Sequence, residues 1–369
     1  MKDNRPLGVL WNSIQNTLFP ELEETLGTLT EKEREFIRVC ELCAPGLVRE
    51  TRRYDWQGQG RPPAERLALA KAFMAKAVYN LGTTELLIEY LHGSVSLRRL
   101  CGWESAAAIP SKATFSRAFG AFAAAQLPER VHAEIIKAHG DRKLVGHLSR
   151  DATAIVAREH AAKPEPKPKE EGMVRRRGRP RDGEERPAPE PKRLEQQSGR
   201  SLAKNLAELP RSCAWGCKRN SDGKKEIWKG YKLHADVADG ELPVSLVLTS
   251  ASLHDSQAAI PLAQMSAERV RNLYDLMDSA YDAKEIRQYS EQLTHVAIID
   301  PNRRGGEAVS LEPAQQRRFA ERSSAERFFA YLEYYGAYQI WVRGAGKVMC
   351  HLMFAVLALT AHQLYQMLL

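Results

Sequence analysis

The sequence predicts a mixed α/β protein with an all-helical N-terminal part. Three observations carry this. Residues 1–140 place apolar side chains at helical spacing behind recognisable helix starts. From residue 141, short β-branched and aromatic runs alternate with helical patterns. A stretch rich in Pro, Lys, Arg and Glu at 161–200 interrupts that second pattern after its first strand.

The N-terminal helices are EKEREFIRVCELC, PAERLALAKAFMAKAVYNLG, TTELLIEYLHG and PSKATFSRAFGAFAAAQ. Pro62 and Pro63 precede the second, Thr83 or Thr84 can cap the third, and Ser111 the fourth. The short connections SVSLRRLCGW and ESAAAIP are compatible with helix-turn-helix packing. SKATFSRAF is then the candidate recognition helix, with Lys112, Thr114, Ser116 and Arg117 facing DNA. A plain bundle with a solvated face is the competing reading.

The α/β part, 141–369, opens with the strand KLVGHLSRDATAIV. IWKGYKLHADVAD and PVSLVLTSAS follow, joined by the Asp239-Gly240 turn. SQAAIPLAQMSAERV is a helix, NLYDLMDSA a strand, DAKEIRQYSEQL a helix and THVAIID a strand. A long helix across AQQRRFAERSSAERFFAYLEYYG precedes an apolar C-terminal helix. A meander followed by alternating helix and strand gives a mixed sheet with helices on its faces. Residues 161–200 lack the apolar surface to offset their ordering entropy and are expected to be a disordered surface insertion.

The chain has 369 residues, a net charge of +8 and a pI near 9.1, which favours a polyanionic partner. No targeting segment is visible at the N-terminus. His351, Thr360, His362 and Gln363 cut the C-terminal apolar run below membrane-spanning length. The expectation is a cytoplasmic, nucleoid-associated protein with no membrane contact. Cys40/Cys43 and Cys213/Cys217 have the numbers for a zinc site, but small buried thiols in a helical pattern are ordinary core residues. Within the insertion, RRRGRPR resembles an AT-hook, with Arg175, Arg176, Arg177, Arg179 and Arg181 suited to a narrow minor groove.

Asp151 follows the apolar run KLVGHL and is expected to end the first strand, and Asp278 lies at the end of NLYDLM, on the fourth strand. Neighbouring strands would bring both to one sheet edge. On the long helix, Phe319, Arg322, Glu326 and Glu333 fall within about 60° around the axis. A stripe of acids and a base on so aromatic a helix calls for a polar cleft. Converging carboxylates repel unless cations neutralise them, and oxygen-only ligands suit Mg²⁺ or Mn²⁺. Asp255, Asp275, Asp282 and Asp300 compete for the same role.

RDATAI, ASLHDSQ, LMDSAYDAKEI and RSSAERFF, with WKGYKLH, resemble in order the core of the DDE transposases of bacterial insertion sequences, in the group containing the transposase family four elements. LRRLCGW and PSKATFSRAF are similar to the N-terminal domain often attached to that core. The resemblance implies a ribonuclease-H-like fold, two Mg²⁺ or Mn²⁺ ions, and Asp151, Asp278 and Glu326 as catalytic ligands. It also implies double-stranded DNA at element ends and target, cleavage and strand transfer, and a homodimer on DNA. The family's helix signature is Tyr, two residues, Arg, three residues, Glu, six residues, Lys. Here those positions hold Phe319, Arg322, Glu326 and Glu333. Arg322 is expected on a phosphate, and Lys232 on the WKGYKLH strand facing DNA. His254 is suited either to the substrate phosphate or to a buried hydrogen bond. The alternatives are a non-catalytic DNA-binding relic or repressor, and a metal-dependent nuclease without strand transfer.

Overall fold

The computed structural model describes residues 6–52, 64–140, 144–163, 191–219, 223–302 and 310–368. Eight helices come first: α1 (Leu7–Ser13), α2 (Phe19–Leu26), α3 (Glu31–Arg52), α4 (Arg66–Val78), α5 (Thr84–Gly93), α6 (Val95–Cys101), α7 (Lys112–Ala124) and α8 (Leu127–Gly140). Then follow β1 (Leu144–Val156), α9 (Arg193–Gln197), α10 (Leu202–Glu208), β2 (Ala214–Arg219), β3 (Lys225–Ala238), β4 (Leu242–Ser250), α11 (Ser256–Ala267), β5 (Arg271–Met277), α12 (Lys284–Gln292) and β6 (Val296–Ile299). α13 (Pro313–Phe319), α14 (Ser323–Tyr334) and α15 (Ala345–Gln366) complete the chain.

The helix starts follow local chemistry. Thr83 caps α5, its hydroxyl accepting from the Leu86 N–H at 3.1 Å. Ser111 precedes α7 without a side-chain cap bond. The stretch read as the connection SVSLRRLCGW contains α6, with Ser94 as its cap.

β1 is the centre of a six-stranded sheet. β3 pairs with it antiparallel on one side and β5 parallel on the other, with β6 parallel beyond β5. β4 and β2 both pair antiparallel with β3. The mixed sheet with flanking helices agrees with the sequence reading. β2 was missed there, because AWGCKR is short and broken by a glycine. Gly230 marks the point where β3 leaves β2 and enters its pairing with β1. A Cβ there would collide with the Ile155 carbonyl, so only glycine fits.

The sheet's two faces are set by alternation along each strand. Ile155, Tyr231, Leu233 and Ala235 belong to one large core with Phe328, Leu332 and the buried stripe of α15. That same core contains Phe36, Phe73 and Phe115 of the N-terminal helices. α15 is apolar almost all round and packs against α3, α4, α7, α8, β4 and α14. By length and composition it is the one described helix that can cross a membrane, yet it is buried here. The N-terminal helices 1–140 therefore share one core with the α/β part.

The other face carries a buried ion pair. Arg150 on β1 lies opposite Asp236 on β3. Its Nε and Nη2 donate to the two Asp236 oxygens at 2.7 and 2.8 Å. Ser266 of α11 donates to Asp236 at 2.6 Å, and Arg150 reaches the Met277 sulfur at 3.5 Å.

The expected insertion needs correcting at its C-terminal end. Residues 193–197 form α9, with Leu194 packed beside Ala259 and Gln197 buried and bonded to the Gln257 carbonyl at 2.8 Å. Its apolar and amide side chains dock on α11, which a solvated linker would not do. The arginines 175, 176, 177, 179 and 181 lie outside the described residues.

Replacing Arg150 with Met leaves the Asp236 charge buried with one hydroxyl partner. Such orphaned charges cost about 3–5 kcal/mol. Urea denaturation of Arg150→Met is expected to show a loss of that size; a loss under about 1 kcal/mol overturns the role given to the pair.

Candidate active site

The site grows from the register of three strands. β1 pairs with β5 only as far as Arg150 opposite Met277. β5 then stops, and the next residue is Asp278. The next residue on β1 is Asp151. Adjacent strands run about 4.8 Å apart, so the two aspartates stand side by side where the β1–β5 pairing ends. Asp151 is not at the end of its strand, as the sequence suggested. β1 continues to Val156, held by β3; what ends there is the pairing with β5.

Local turns fix both carboxylates. Asp278 caps a 3-10 turn over Ser279–Tyr281, one oxygen accepting from the Ala280 N–H at 2.9 Å. Asp151 Oδ1 accepts from the Ala152 N–H at 2.7 Å. Capping uses one oxygen of each acid. Burial first, then the Asp278 charge, raises the Asp151 pKa to about 6. Burial also raises Asp278, with the charges of Asp255 and Asp300 adding to it and the Ala280 N–H and Arg322 opposing.

The helix stripe reaches this edge. α13 and α14 are joined by a 3-10 turn at Ala320–Arg322, so the helix is not continuous. At three residues per turn, Phe319 and Arg322 eclipse. The guanidinium lies 5.7 Å from the Phe319 ring centre. Ser149 on β1 donates to the Glu321 carbonyl at 3.1 Å and pins the turn to the sheet. Arg322 Nη1 then lies 3.4 Å from Asp151 Oδ2, and Nη2 bonds to Glu326. Glu326 itself is exposed, with 57% of its side-chain surface open. Phe328, Phe329 and Leu332 on the other side of α14 are buried.

The structure thus brings Asp151 and Asp278 together and joins Glu326 to Asp151 through Arg322. Among the described residues, no three His, Cys, Asp or Glu side chains already converge as a metal cage. The donor chemistry nevertheless fits a hard divalent ion at the aspartate pair: oxygen ligands only, with raised carboxyl pKa values. The cysteine reading gains no support. Cys40, Cys43 and Cys213 are buried, and Cys217 is exposed.

Two further residues belong to this neighbourhood: Asp255, named in the sequence reading only as a competing acid, and Tyr281, given no role there. Asp255, just before α11, adds its charge to those acting on Asp151 and Asp278. Tyr281 is buried, and its hydroxyl has no partner among the described residues. Burial first, then the charges of Asp255, Asp151 and Asp278, holds it as a neutral phenol. Its signal was the Ala-Tyr-Asp pattern that follows Asp278 after one serine. Lys232 requires a correction. Its ammonium bonds to Asp255 and to the Leu253 carbonyl, both at 2.8 Å, and is largely covered. It neutralises an acid beside the site and does not project toward DNA. His254 stays at the surface, bonded to the Ser256 hydroxyl at 2.8 Å.

On α7, Phe115, Ala118, Phe119 and Phe122 face the core, leaving Lys112, Ser116 and Arg117 exposed. Lys112 pairs with Glu85 of α5, and Arg117 bonds to Thr114 at 3.4 Å.

Comparison with known families agrees with these two regions. Residues 41–120 match the model of a transposase domain, DUF772. Residues 182–361 match the transposase DDE domain, a stretch that includes Asp278 and Glu326 and begins after Asp151. No curated protein and no solved structure matches the chain. With both domains in this order, the chain belongs to the DDE transposases of insertion-sequence type, a metal-dependent class of DNA-acting enzymes.

The raised Asp151 pKa has a measurable consequence. The folded chain holds this proton more tightly than the unfolded chain, whose value is near 3.8. Asp151 therefore contributes stability below that value, and the contribution is lost as pH rises through about 6. In metal-free buffer, Asp151→Asn is expected to gain about 1–3 kcal/mol at pH 7.5 and almost nothing at pH 4. A less stable variant at pH 7.5 would contradict the assignment.

Proposed function

We propose that this transposase binds the terminal inverted repeats of an insertion sequence, hydrolyses DNA at the element ends and joins the freed 3′-hydroxyl to target DNA. Asp151, Asp278 and Glu326 are the catalytic acids and would hold two Mg²⁺ or Mn²⁺ ions. The reading also takes the sheet as ribonuclease-H-like. That is supported by β1 with antiparallel β3 and β4 on one side and parallel β5 and β6 on the other. The observation that carries the function is the meeting of Asp151 and Asp278, with Arg322 linking Asp151 to Glu326; Asp278, Arg322 and Glu326 lie within the family-matched stretch.

The chain's own groups have definite tasks. Asp151 and Asp278 keep one oxygen each on a backbone N–H, which fixes the carboxylate planes; the second Asp151 oxygen faces Arg322 and becomes open to a cation once that guanidinium moves to a phosphate. Divalent ions held there by Asp151, Asp278 and Glu326 would activate a nucleophile and stabilise the leaving oxygen at a phosphodiester. Arg322 presents a planar fork of donors suited to phosphate oxygens. When a DNA phosphate takes that fork, Glu326 is released from its ion pair and can turn toward the aspartates. Lys232 offsets Asp255, so the site does not carry that extra charge against DNA. Tyr281 offers a neutral hydroxyl donor at the same centre. Pairing two element ends calls for a homodimer on DNA.

A non-catalytic relic is the competing reading, prompted by Phe319 and Glu333. Purified protein incubated with labelled element ends and Mg²⁺ separates the two. Strand cleavage is expected, with loss of at least a hundredfold in Asp151→Ala and Asp278→Ala while DNA affinity stays within about threefold. No cleavage by the wild type would favour the relic.

Glu333 is exposed, and no base pairs with it among the described residues. Glu333→Lys is expected to tighten binding to element ends or leave it unchanged, with cleavage retained. A folded but inactive Glu333→Lys would reopen the choice of Glu326 over Glu333 as ligand.

A further inference from the structure

A second cleft lies apart from the carboxylates. It forms where α4, α5 and α7 meet segment 335–344 and the start of α15, and holds about 670 Å³. That is ample for one nucleotide. Lys76, Arg158, Arg343 and Lys347 line it, none paired with an acid among the described residues. Lys112 also lines it, already matched by Glu85. Lys76 is partly buried there, and burial draws its ammonium pKa down to about 8. Desolvating a cation without an acid is costly and is relieved by an anion.

Trp341 lines the same cleft with 54% of its surface exposed. The Arg158 guanidinium sits 5.0 Å from its ring centre. An open indole beside four cations is not a phosphate site alone. Bases stack on aromatic faces with little sequence preference, while cations follow the backbone. A paired base cannot offer its face without leaving the stack.

Arg158 is seven residues beyond Asp151 on the same run of chain. At about 3.3 Å per extended residue, the cleft begins on the order of 20 Å from the carboxylates.

We propose that this cleft binds an unpaired DNA strand, with a base stacked on Trp341 and phosphates on Lys76, Arg343 and Lys347. The inference rests on the reading of the chain as a DNA transposase and adds a strand-holding site to it.

Fluorescence anisotropy of the full chain with a labelled twelve-nucleotide thymidine strand, and with a duplex of equal length, tests it. Trp341→Ala is expected to weaken the single strand about tenfold and the duplex less than about twofold. Lys76→Met is expected to weaken the single strand and reduce its salt slope by about 0.7. A 5-bromodeoxyuridine strand should photocrosslink to the Trp341 peptide in the wild type, a readout that needs no variant. Unchanged single-strand affinity in Trp341→Ala, equal loss for duplex, or crosslinks only elsewhere overturns the proposal. Element-end cleavage is scored separately. Strand binding without cleavage keeps the cleft and sinks the functional reading, and cleavage without strand binding does the reverse.

Discussion

The buried Arg150–Asp236 pair is the constraint on which the site depends. It locks β1 against β3 at one register, and Arg150 also touches Met277 at the end of β5. A slip of one residue would turn every side chain of β1 to the other face. Arg150 would then meet the apolar core, and Asp151 would meet α11. Both are prohibitive, so the charge pair selects the register. A buried ion pair is weak support for net stability, since desolvation offsets its attraction. Its value here is positional: with Arg150 fixed on one face, Asp151 must leave on the other, beside Asp278.

Charge balance then explains the residues around the aspartates. Asp151, Asp278, Asp255 and Glu326 bring four negative charges; Arg322 and Lys232 bring two positive ones. The net negative charge left over favours bound cations. Arg322 has two faces of use, since it ties Glu326 near the site and carries donors that suit a phosphate. Lys232 has one, because both its bonds run to the Asp255 loop. The two basic residues differ in their partners: Arg322 bridges Asp151 and Glu326, whereas Lys232 bonds only within the Asp255 loop.

Much of this was legible in the sequence, and the misses have physical causes. Asp278 was readable because the apolar run NLYDLM must end a buried strand. The stripe of Arg322 and Glu326 was readable from helical spacing, even though a 3-10 turn interrupts the helix, because that turn keeps Phe319 and Arg322 eclipsed. Lys232 was misread because period-two alternation tells which face a side chain takes, not what waits there. Asp255 supplies the answer from a loop 23 residues away. α9 was lost in the composition of its surroundings; Leu194 and Gln197 are too few to stand out among so many prolines and charges. The shared core was hidden because α15 reads as apolar all round. Such a helix must be buried, but its pattern does not say between which partners.

The two departures on the signature helix can be weighed from the same geometry. Phe319 still offers a ring for the Arg322 guanidinium, so the stacking part of a tyrosine's role survives and only the hydroxyl is lost. Glu333 places a negative charge on the stripe, where a lysine would attract DNA. Two unit charges 4 Å apart repel by about 1 kcal/mol in water and about 4 kcal/mol at an effective dielectric of 20. Glu333 is exposed at the far end of α14, one residue before its last, so the smaller figure applies. A penalty of that size lowers DNA affinity by less than tenfold. The residues that would be hard to replace, Asp151, Asp278, Glu326 and Arg322, are all in place.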